Sequence, residues 1–238
     1  MKVFLLAAGL GTRLRPLTND IPKCLVSLKG KPLLDYWFSL FAAHGVTEVL
    51  VNLHHHAEKV LAFLEASLYP FRIIPFYEST LLGSAGTIHA NREWVTDEKS
   101  FLIAYADNLT NTNLSAFRRF HLEQDALLTM GLFETNRPKE CGIALLDHEK
   151  NIVDFTEKPQ QPKSTLANAG LYMASPGIFD YFQEDYPQDL GFDILPKLVG
   201  QMKGFHIEDY LLDIGNLERY QRAINDIESF KFTQGGLK

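Results

Sequence analysis

Gly9-Leu10-Gly11-Thr12-Arg13-Leu14-Arg15, followed by Pro16-Leu17-Thr18 and then Pro22-Lys23, sets two glycines, two arginines and a lysine directly after an apolar run at residues 3–8. Glycines let backbone N–H groups approach an anion closely, and cationic side chains neutralise phosphate charge. The combination reads as a polyphosphate site. Two further segments end in a carboxylate: Phe101-Leu102-Ile103-Ala104-Tyr105-Ala106-Asp107 and Tyr210-Leu211-Leu212-Asp213, the latter followed by Ile214-Gly215-Asn216. Ligands of parallel sheets sit at the carboxyl ends of the strands, so acids at those ends fall where a ligand is expected.

The elements that must carry these groups alternate in the first half of the chain. Residues 3–8 read as a strand covered on both faces. Residues 32–44 show helical spacing (Leu33, Leu34, Trp37, Leu40, Phe41) that stops near Gly45. A strand at 49–53, a helix at 58–68, a strand at 71–76, a short helix at 85–94 and a strand at 101–105 follow. This order predicts right-handed βαβ units around a mostly parallel sheet. In the second half, strand-like runs at 126–133, 143–146, 152–155 and 170–174 lie close together, as antiparallel additions. Helical stretches return at 192–200 and 217–230. Asn216 is the expected cap of the latter.

The fold class expected is therefore α/β, Rossmann-like: a mixed, mostly parallel sheet flanked by helices, with a small antiparallel sub-region. A single domain is expected over residues 1–232. Residues 1–125 and 126–232 form its two halves, and 233–238 a frayed tail.

Composition narrows the partners. The chain has 238 residues, 46% hydrophobic and 22% charged, and a net charge of −6. Residues 1–31 hold six basic side chains (Lys2, Arg13, Arg15, Lys23, Lys29, Lys31) against Asp20, a local charge of +5, so the rest carries −11. A cationic pocket in an acidic protein suits a small anionic ligand, not nucleic acid. Cys24 and Cys141 give neither a disulfide framework nor zinc spacing. The first apolar run is too short for a signal peptide and nothing approaches a membrane span, so a cytoplasmic protein without membrane contact is expected. Exposed apolar helix faces are compatible with a homodimer, although a core role explains them more simply. His54-His55-His56 looks like a metal tract, but adjacent side chains at a strand end diverge, and a surface or helix-entry role is expected.

The glycine loop does not fit the commoner phosphate motifs. A dinucleotide fingerprint needs a third glycine where Leu14 stands, and Pro16 and Pro22 stop a helix from running through. Gly-Lys-Ser/Thr of a Walker loop is absent. The full string, Gly-Leu-Gly-Thr-Arg-Leu-Arg-Pro-Leu-Thr and Pro-Lys, resembles the sugar-1-phosphate nucleotidylyltransferases, or nucleotide-sugar pyrophosphorylases. It is closest in appearance to their small mannose-1-phosphate guanylyltransferase-like members. The departure is Cys24, where the family has proline after the lysine.

That resemblance implies roles. Backbone at Ala8, Gly9 and Gly11, with Thr12, holds the base and triphosphate. Arg13 meets the β- and γ-phosphates, where charge grows as pyrophosphate leaves, and Lys23 lies near the α-phosphate. Asp107 and Asp213 match the two Mg²⁺ ligands, with Ala106 and Asn216 replacing the family's glycine and threonine. Two carboxylates with substrate phosphate oxygens suit that ion. Phe155-Thr156-Glu157-Lys158-Pro159 matches a Glu-Lys-Pro element in which Lys158 contacts the sugar phosphate and Glu157 the sugar hydroxyls. Asn168-Ala169-Gly170-Leu171-Tyr172 resembles a further sugar contact, through Asn168. Leu82-Gly83-Ser84-Ala85-Gly86-Thr87 opens a helix whose free N–H groups face a ligand, and the family sets Gly83 and Gly86 against nucleobase and sugar. Glu78, just upstream, is a candidate acceptor for the donor edge of guanine.

The activity implied is transfer of a nucleotidyl group from a nucleoside triphosphate, GTP favoured, to a sugar 1-phosphate, mannose 1-phosphate favoured. Enzymes using UTP or dTTP on glucose, muramate or heptose 1-phosphate have similar motifs. A non-catalytic nucleotide-sugar sensor is the alternative of another class. Arg15 is compatible with either ligand contact or a surface position.

Overall fold

The computed structural model describes residues 1–227; the expected tail at 233–238 lies outside them. In chain order the elements are β1 (Lys2–Leu6), the two-residue strands β2 (Ser27–Leu28) and β3 (Lys31–Pro32), α1 (Leu33–Ala43), β4 (Glu48–Leu53), α2 (Ala57–Ala66), β5 (Arg72–Tyr77), α3 (Gly83–Ala90), β6 (Phe101–Tyr105) and β7 (Asn108–Thr110). There follow α4 (Leu114–Gln124), β8 (Leu128–Glu134), β9 (Gly142–Leu146), β10 (Ile152–Glu157), β11 (Leu166–Ala174), β12 (Met202–His206), β13 (Leu211–Asp213) and α5 (Leu217–Asp226). The fold is α/β, with a mixed, mostly parallel sheet, flanking helices and small antiparallel sheets. The chain divides into two compact units. One comprises Met1–Leu81, Ala104–Asn113 and residues 209–227; the other comprises Leu82–Ile103 and Leu114–Glu208.

In the first unit β1, β4 and β5 are parallel neighbours, with Val3 opposite Val49 and Val51 opposite Pro75. Parallel pairing needs a crossover for each step, which α1 and α2 supply. Val3, Phe4 and Leu5 are wholly buried, which explains why β1 is apolar without alternation. α1 buries Leu33, Leu34, Trp37, Phe38, Leu40 and Phe41, a broad face. It ends in paired capping bonds, Val46 N–H to Phe41 O at 3.1 Å and Gly45 N–H to Ala42 O at 3.5 Å, for which Gly45 takes φ +65°. A separate antiparallel pair, β7 with β13, sets Asn108 opposite Asp213 and Leu109 opposite Leu212.

In the second unit β11 pairs antiparallel with β8 and β9, β9 with β10, and β12 lies parallel to β8. β11 carries an irregularity between Asn168 and Tyr172, which oppose Leu132 and Met130. The strand therefore bulges by two residues at the segment expected to meet sugar.

Two element expectations change, and one helix is additional. The helix expected at 192–200 is instead a π-turn over Leu190–Ile194 and a 3-10 turn over Leu195–Leu198. Pro196 explains this: it donates no N–H, and its ring would collide with the Phe192 carbonyl of a continuous α-helix. The helix expected at 85–94 starts at Gly83 and stops at Ala90, with a 3-10 turn over Arg92–Val95 beyond it. α4 was not anticipated: its buried stripe is Leu114, Phe117 and His121, and the histidine breaks the apolar pattern.

Candidate active site

The glycine loop leaves β1 and turns at Gly11, whose φ of +64° is left-handed. Thr18 Oγ1 donates to Gly11 O at 2.7 Å, and a Cβ on Gly11 would lie 3.1 Å from Lys23 Cβ and 3.2 Å from Thr18 Cγ2. Glycine is thus required by both the backbone angle and the space. Leu14, wholly buried, anchors the 3-10 turn Thr12–Leu14, while Arg13 is exposed. Lys23 starts a second 3-10 turn after Pro22 and is buried although charged. A buried ammonium needs a partner.

It has two. Lys23 Nζ lies 2.5 Å from Asp107 Oδ2 and 3.9 Å from Asp213 Oδ1. The two aspartates, 106 positions apart in the chain, are brought together by backbone bonds. Ala106 N–H donates to Leu6 O at 3.0 Å, which sets Asp107 beside the end of β1. Ile214 N–H donates to Asp107 O at 2.9 Å, continuing the β7–β13 pairing. Asp213 Oδ2 accepts from Arg219 Nη1 at 2.6 Å. A Cβ on Gly215 would lie 2.8 Å from Asp213 Oδ2 and 3.3 Å from Arg13 Nη2, so Gly215 makes room for the carboxylate and Arg13 reaches the same cluster. Burial, and then the neighbouring Asp107 charge, push the Asp213 carboxyl up; Lys23, Arg219 and Arg13 oppose them.

Arg13, Lys23, Asp107 and Asp213 are therefore brought together within the first unit. Arg219 is a member of the cluster that the sequence reading missed. It sits three residues into α5, where its N–H donates to the capping Asn216 Oδ1 at 2.9 Å. An arginine on the first turn after a strand-end acid and a capping asparagine was the signal available. The two aspartates offer oxygen donors only, the set a hard divalent ion prefers. Among the described residues no group of three or more His, Cys, Asp or Glu is arranged to hold a metal, so an ion held by this pair would need further ligands from phosphate or water.

Ala8 is buried and Gly9 exposed at the loop entrance. The preceding N–H, of Ala7, donates to Asn52 Oδ1 at 2.6 Å, and Asn52 Nδ2 donates to Glu78 Oε1 at 2.8 Å. Glu78 is only 3% exposed, so the candidate base reader is a buried acid held by an amide. Of the histidine run, His54 Nδ1 bonds Glu78 O at 2.8 Å and His56 is the residue entering α2.

A second cluster forms in the second unit. Glu157 ends β10, and its side chain is 15% exposed. Cβ atoms on Gly142 and Gly191 would lie 2.4 and 2.9 Å from Glu157 Oε2, so two glycines from separate segments cradle the carboxylate. Burial raises its pKa, Lys158 lowers it and Asp189 raises it. Lys158 Nζ is 3.8 Å from Glu157 Oε1 and stands over the Phe192 ring at 5.7 Å, with its side chain 57% exposed. Asp189, also missed, accepts from the Gly191 and Phe192 N–H groups and from Ser84 Oγ at 2.9 Å. Asn168 uses the β11 bulge: its Oδ1 accepts from Gly170 N–H at 3.0 Å and its Nδ2 donates to the Tyr172 hydroxyl at 2.7 Å.

One expectation needs correction. Two of the first four N–H groups of α3, those of Ala85 and Gly86, are not offered to a ligand, because they donate to Gln188 O at 3.0 and 3.3 Å. The small residues have a packing reason: a Cβ on Gly83 would lie 2.2 Å from Gln188 O, and one on Gly86 2.8 Å from Tyr186 Cδ1.

A glycine loop carrying arginine and lysine, with two strand-end carboxylates against that lysine, thus stands on an α/β fold. The chain belongs to the nucleotidyl transferase family, whose model matches residues 2–229. It is 30% identical, over 249 aligned positions and 96% of its length, to a UTP–glucose-1-phosphate uridylyltransferase of Synechocystis sp.. It is 29% identical over 227 positions, 92% of its length, to a mannose-1-phosphate guanyltransferase of Schizosaccharomyces pombe. The chain spans 64% and 62% of the length of these two curated relatives. Among solved structures, HddC from Yersinia pseudotuberculosis matches with a TM-score of 0.80 and 27% identity, over 95% of this chain and 99% of that one. Among the described residues no helix is long and apolar enough to cross a membrane.

Proposed function

We propose that the chain is a sugar-1-phosphate nucleotidylyltransferase, taking GTP and mannose 1-phosphate in preference to UTP or dTTP with other sugar 1-phosphates. The observation that carries this reading is the contact of Lys23 with both Asp107 and Asp213 beneath the glycine loop. Family membership supports the transfer, and the two curated relatives divide between a uridylyl and a guanylyl donor. The guanylyl preference rests on the buried Glu78 at the end of β5 and on the likeness to HddC, a structure of which also exists with GMP-PN.

In the reaction an oxygen of the sugar phosphate forms a bond to the α-phosphorus. The bond from that phosphorus to the oxygen bridging to the β-phosphorus breaks, and pyrophosphate departs. The nucleophile is already anionic, so no general base is needed. The obstacle is repulsion between two polyanions, which positioning and positive charge overcome. Arg13 neutralises the leaving phosphates and Lys23 the α-phosphate. Lys158 holds the sugar phosphate, with Glu157 and Asn168 accepting and donating to sugar hydroxyls. Mg²⁺ on Asp107 and Asp213, when bound, supplies charge neutralisation and alignment of phosphate oxygens.

The deciding experiment is a matrix of GTP, UTP, dTTP, CTP and ATP against mannose, glucose, heptose and muramate 1-phosphates, scored by pyrophosphate release. GTP with mannose 1-phosphate is expected to turn over fastest, and EDTA to abolish turnover. A best pair containing UTP or dTTP overturns the donor assignment. Tight nucleotide-sugar binding without turnover for any pair makes the protein a sensor.

A further inference from the structure

The carboxylate pair is held by two cations whose contacts differ in kind. Arg219 holds Asp213 Oδ2 at 2.6 Å, from a helix whose first turn is fixed by Asn216. Lys23 Nζ holds Asp107 Oδ2 at 2.5 Å and faces the other Asp213 oxygen, Oδ1, at 3.9 Å. Thus each oxygen of Asp213 answers to a different cation, and Oδ1 is the one turned toward Asp107's partner. A divalent ion held by Asp107 and Asp213 would compete with Lys23 Nζ for these carboxylates, while Arg219 could keep Asp213 Oδ2.

We infer that Arg219 is a positioning residue which aims Asp213 at the metal, whereas Lys23 competes with the metal for the same two carboxylates and yields to it. The inference rests on the metal assignment made above. Its physical content is a pair of opposite signs. Removing a cation beside a carboxylate strengthens metal binding if that cation only repels or competes. Removal weakens binding if the cation fixes the ligand's orientation, as partners behind a metal ligand do. A triphosphate accepts Lys23 and Arg13 as they leave the acids, so nucleotide and metal should bind with positive coupling in the wild type.

The test is Mn²⁺ binding to the full chain, read by electron paramagnetic resonance of the free ion, with and without a non-hydrolysable GTP analogue. Arg219→Ala is expected to weaken Mn²⁺ binding at least tenfold, and Arg219→Lys to recover part of the loss, because lysine keeps the charge but not the planar fork. Lys23→Met is expected to tighten binding of Mn²⁺ alone about tenfold and to lose most of the coupling to the analogue. Equal or tighter binding in Arg219→Ala overturns the positioning role, and weaker or unchanged binding in Lys23→Met overturns the competition. Circular dichroism checks that Arg219→Ala is folded; should it not be, Arg219→Lys decides, by binding more weakly than wild type or not. If the wild type binds no Mn²⁺ even with the analogue, the inference falls together with the metal assignment. Pyrophosphate release in the substrate matrix would still decide the transfer activity separately.

Discussion

Asn52 on β4 and Glu78, just past the end of the neighbouring parallel strand β5, are joined by a buried hydrogen bond of 2.8 Å, and the same amide holds the Ala7 N–H at the mouth of the glycine loop. The donors and acceptors fix the amide's orientation: oxygen toward the backbone N–H, nitrogen toward the carboxylate. Asn52→Asp would set a second acid against Glu78 at a position only 5% exposed. The expected loss is on the order of 3 kcal/mol in urea unfolding, against about 1 kcal/mol for Asn52→Ser. Equal losses for the two would mean that the pairing is immaterial.

The glycine cradle around Glu157 makes a prediction about one substrate only. A Cβ on Gly191 would lie 2.9 Å from Glu157 Oε2 and 3.2 Å from Asp189 Oδ1, so Gly191→Ala must shift one of the acids. KM for the sugar 1-phosphate should rise about tenfold, with kcat falling less. The affinity for nucleoside triphosphate, measured by calorimetry without the sugar, should stay within about twofold. A variant with ordinary sugar-phosphate kinetics would remove Glu157 from that subsite.

His121 gives the protein an acid limit. It is 1% exposed, bonds Thr129 Oγ1 at 2.9 Å and Ser175 Oγ at 3.2 Å, and burial pulls its pKa down to about 4. The folded chain therefore holds a neutral imidazole where the unfolded chain takes up a proton. Stability from this group is complete above its unfolded value of 6.5 and declines as pH falls toward about 4. The amount is about 3 kcal/mol. His121→Asn should be less stable at neutral pH but show a flatter dependence of Tm across that window.

The two thiols should differ in reactivity. Cys24, 2% exposed, has its pKa pushed up by burial to about 12, whereas Cys141 is half-buried. A thiolate is the reactive form. Ellman's reagent should titrate one thiol in the native protein and two in guanidinium, and Cys141→Ser should abolish the native reaction.

The candidate cluster of Arg13, Lys23, Asp107 and Asp213 is legible in the sequence where local chemistry marks its members. The glycine loop, the strand-end acids at 107 and 213 and the Asn216 cap are marked by residue type and by position along their own element. What was not readable depended on partners far along the chain. Arg219 looks like any surface arginine of an amphipathic helix until Asp213 is set beside it. Asp189 looks like a turn residue until Ser84 and the two following N–H groups converge on it. The N–H groups of Ala85 and Gly86 read as available because Gln188, which takes both, is about a hundred residues away. Pro196 was a local signal against the helix expected at 192–200, outweighed by the apolar spacing around it.

The β7–β13 zipper also has a bearing on synthesis. A nascent chain that has emerged only through residue 208 already contains the glycine loop, Lys23 and Asp107, yet lacks the strand that delivers Asp213 and the helix that delivers Arg219. The pairing of Asp107 with Asp213 therefore waits for residues 211–219 to be made. A chain truncated before that point has no paired acids.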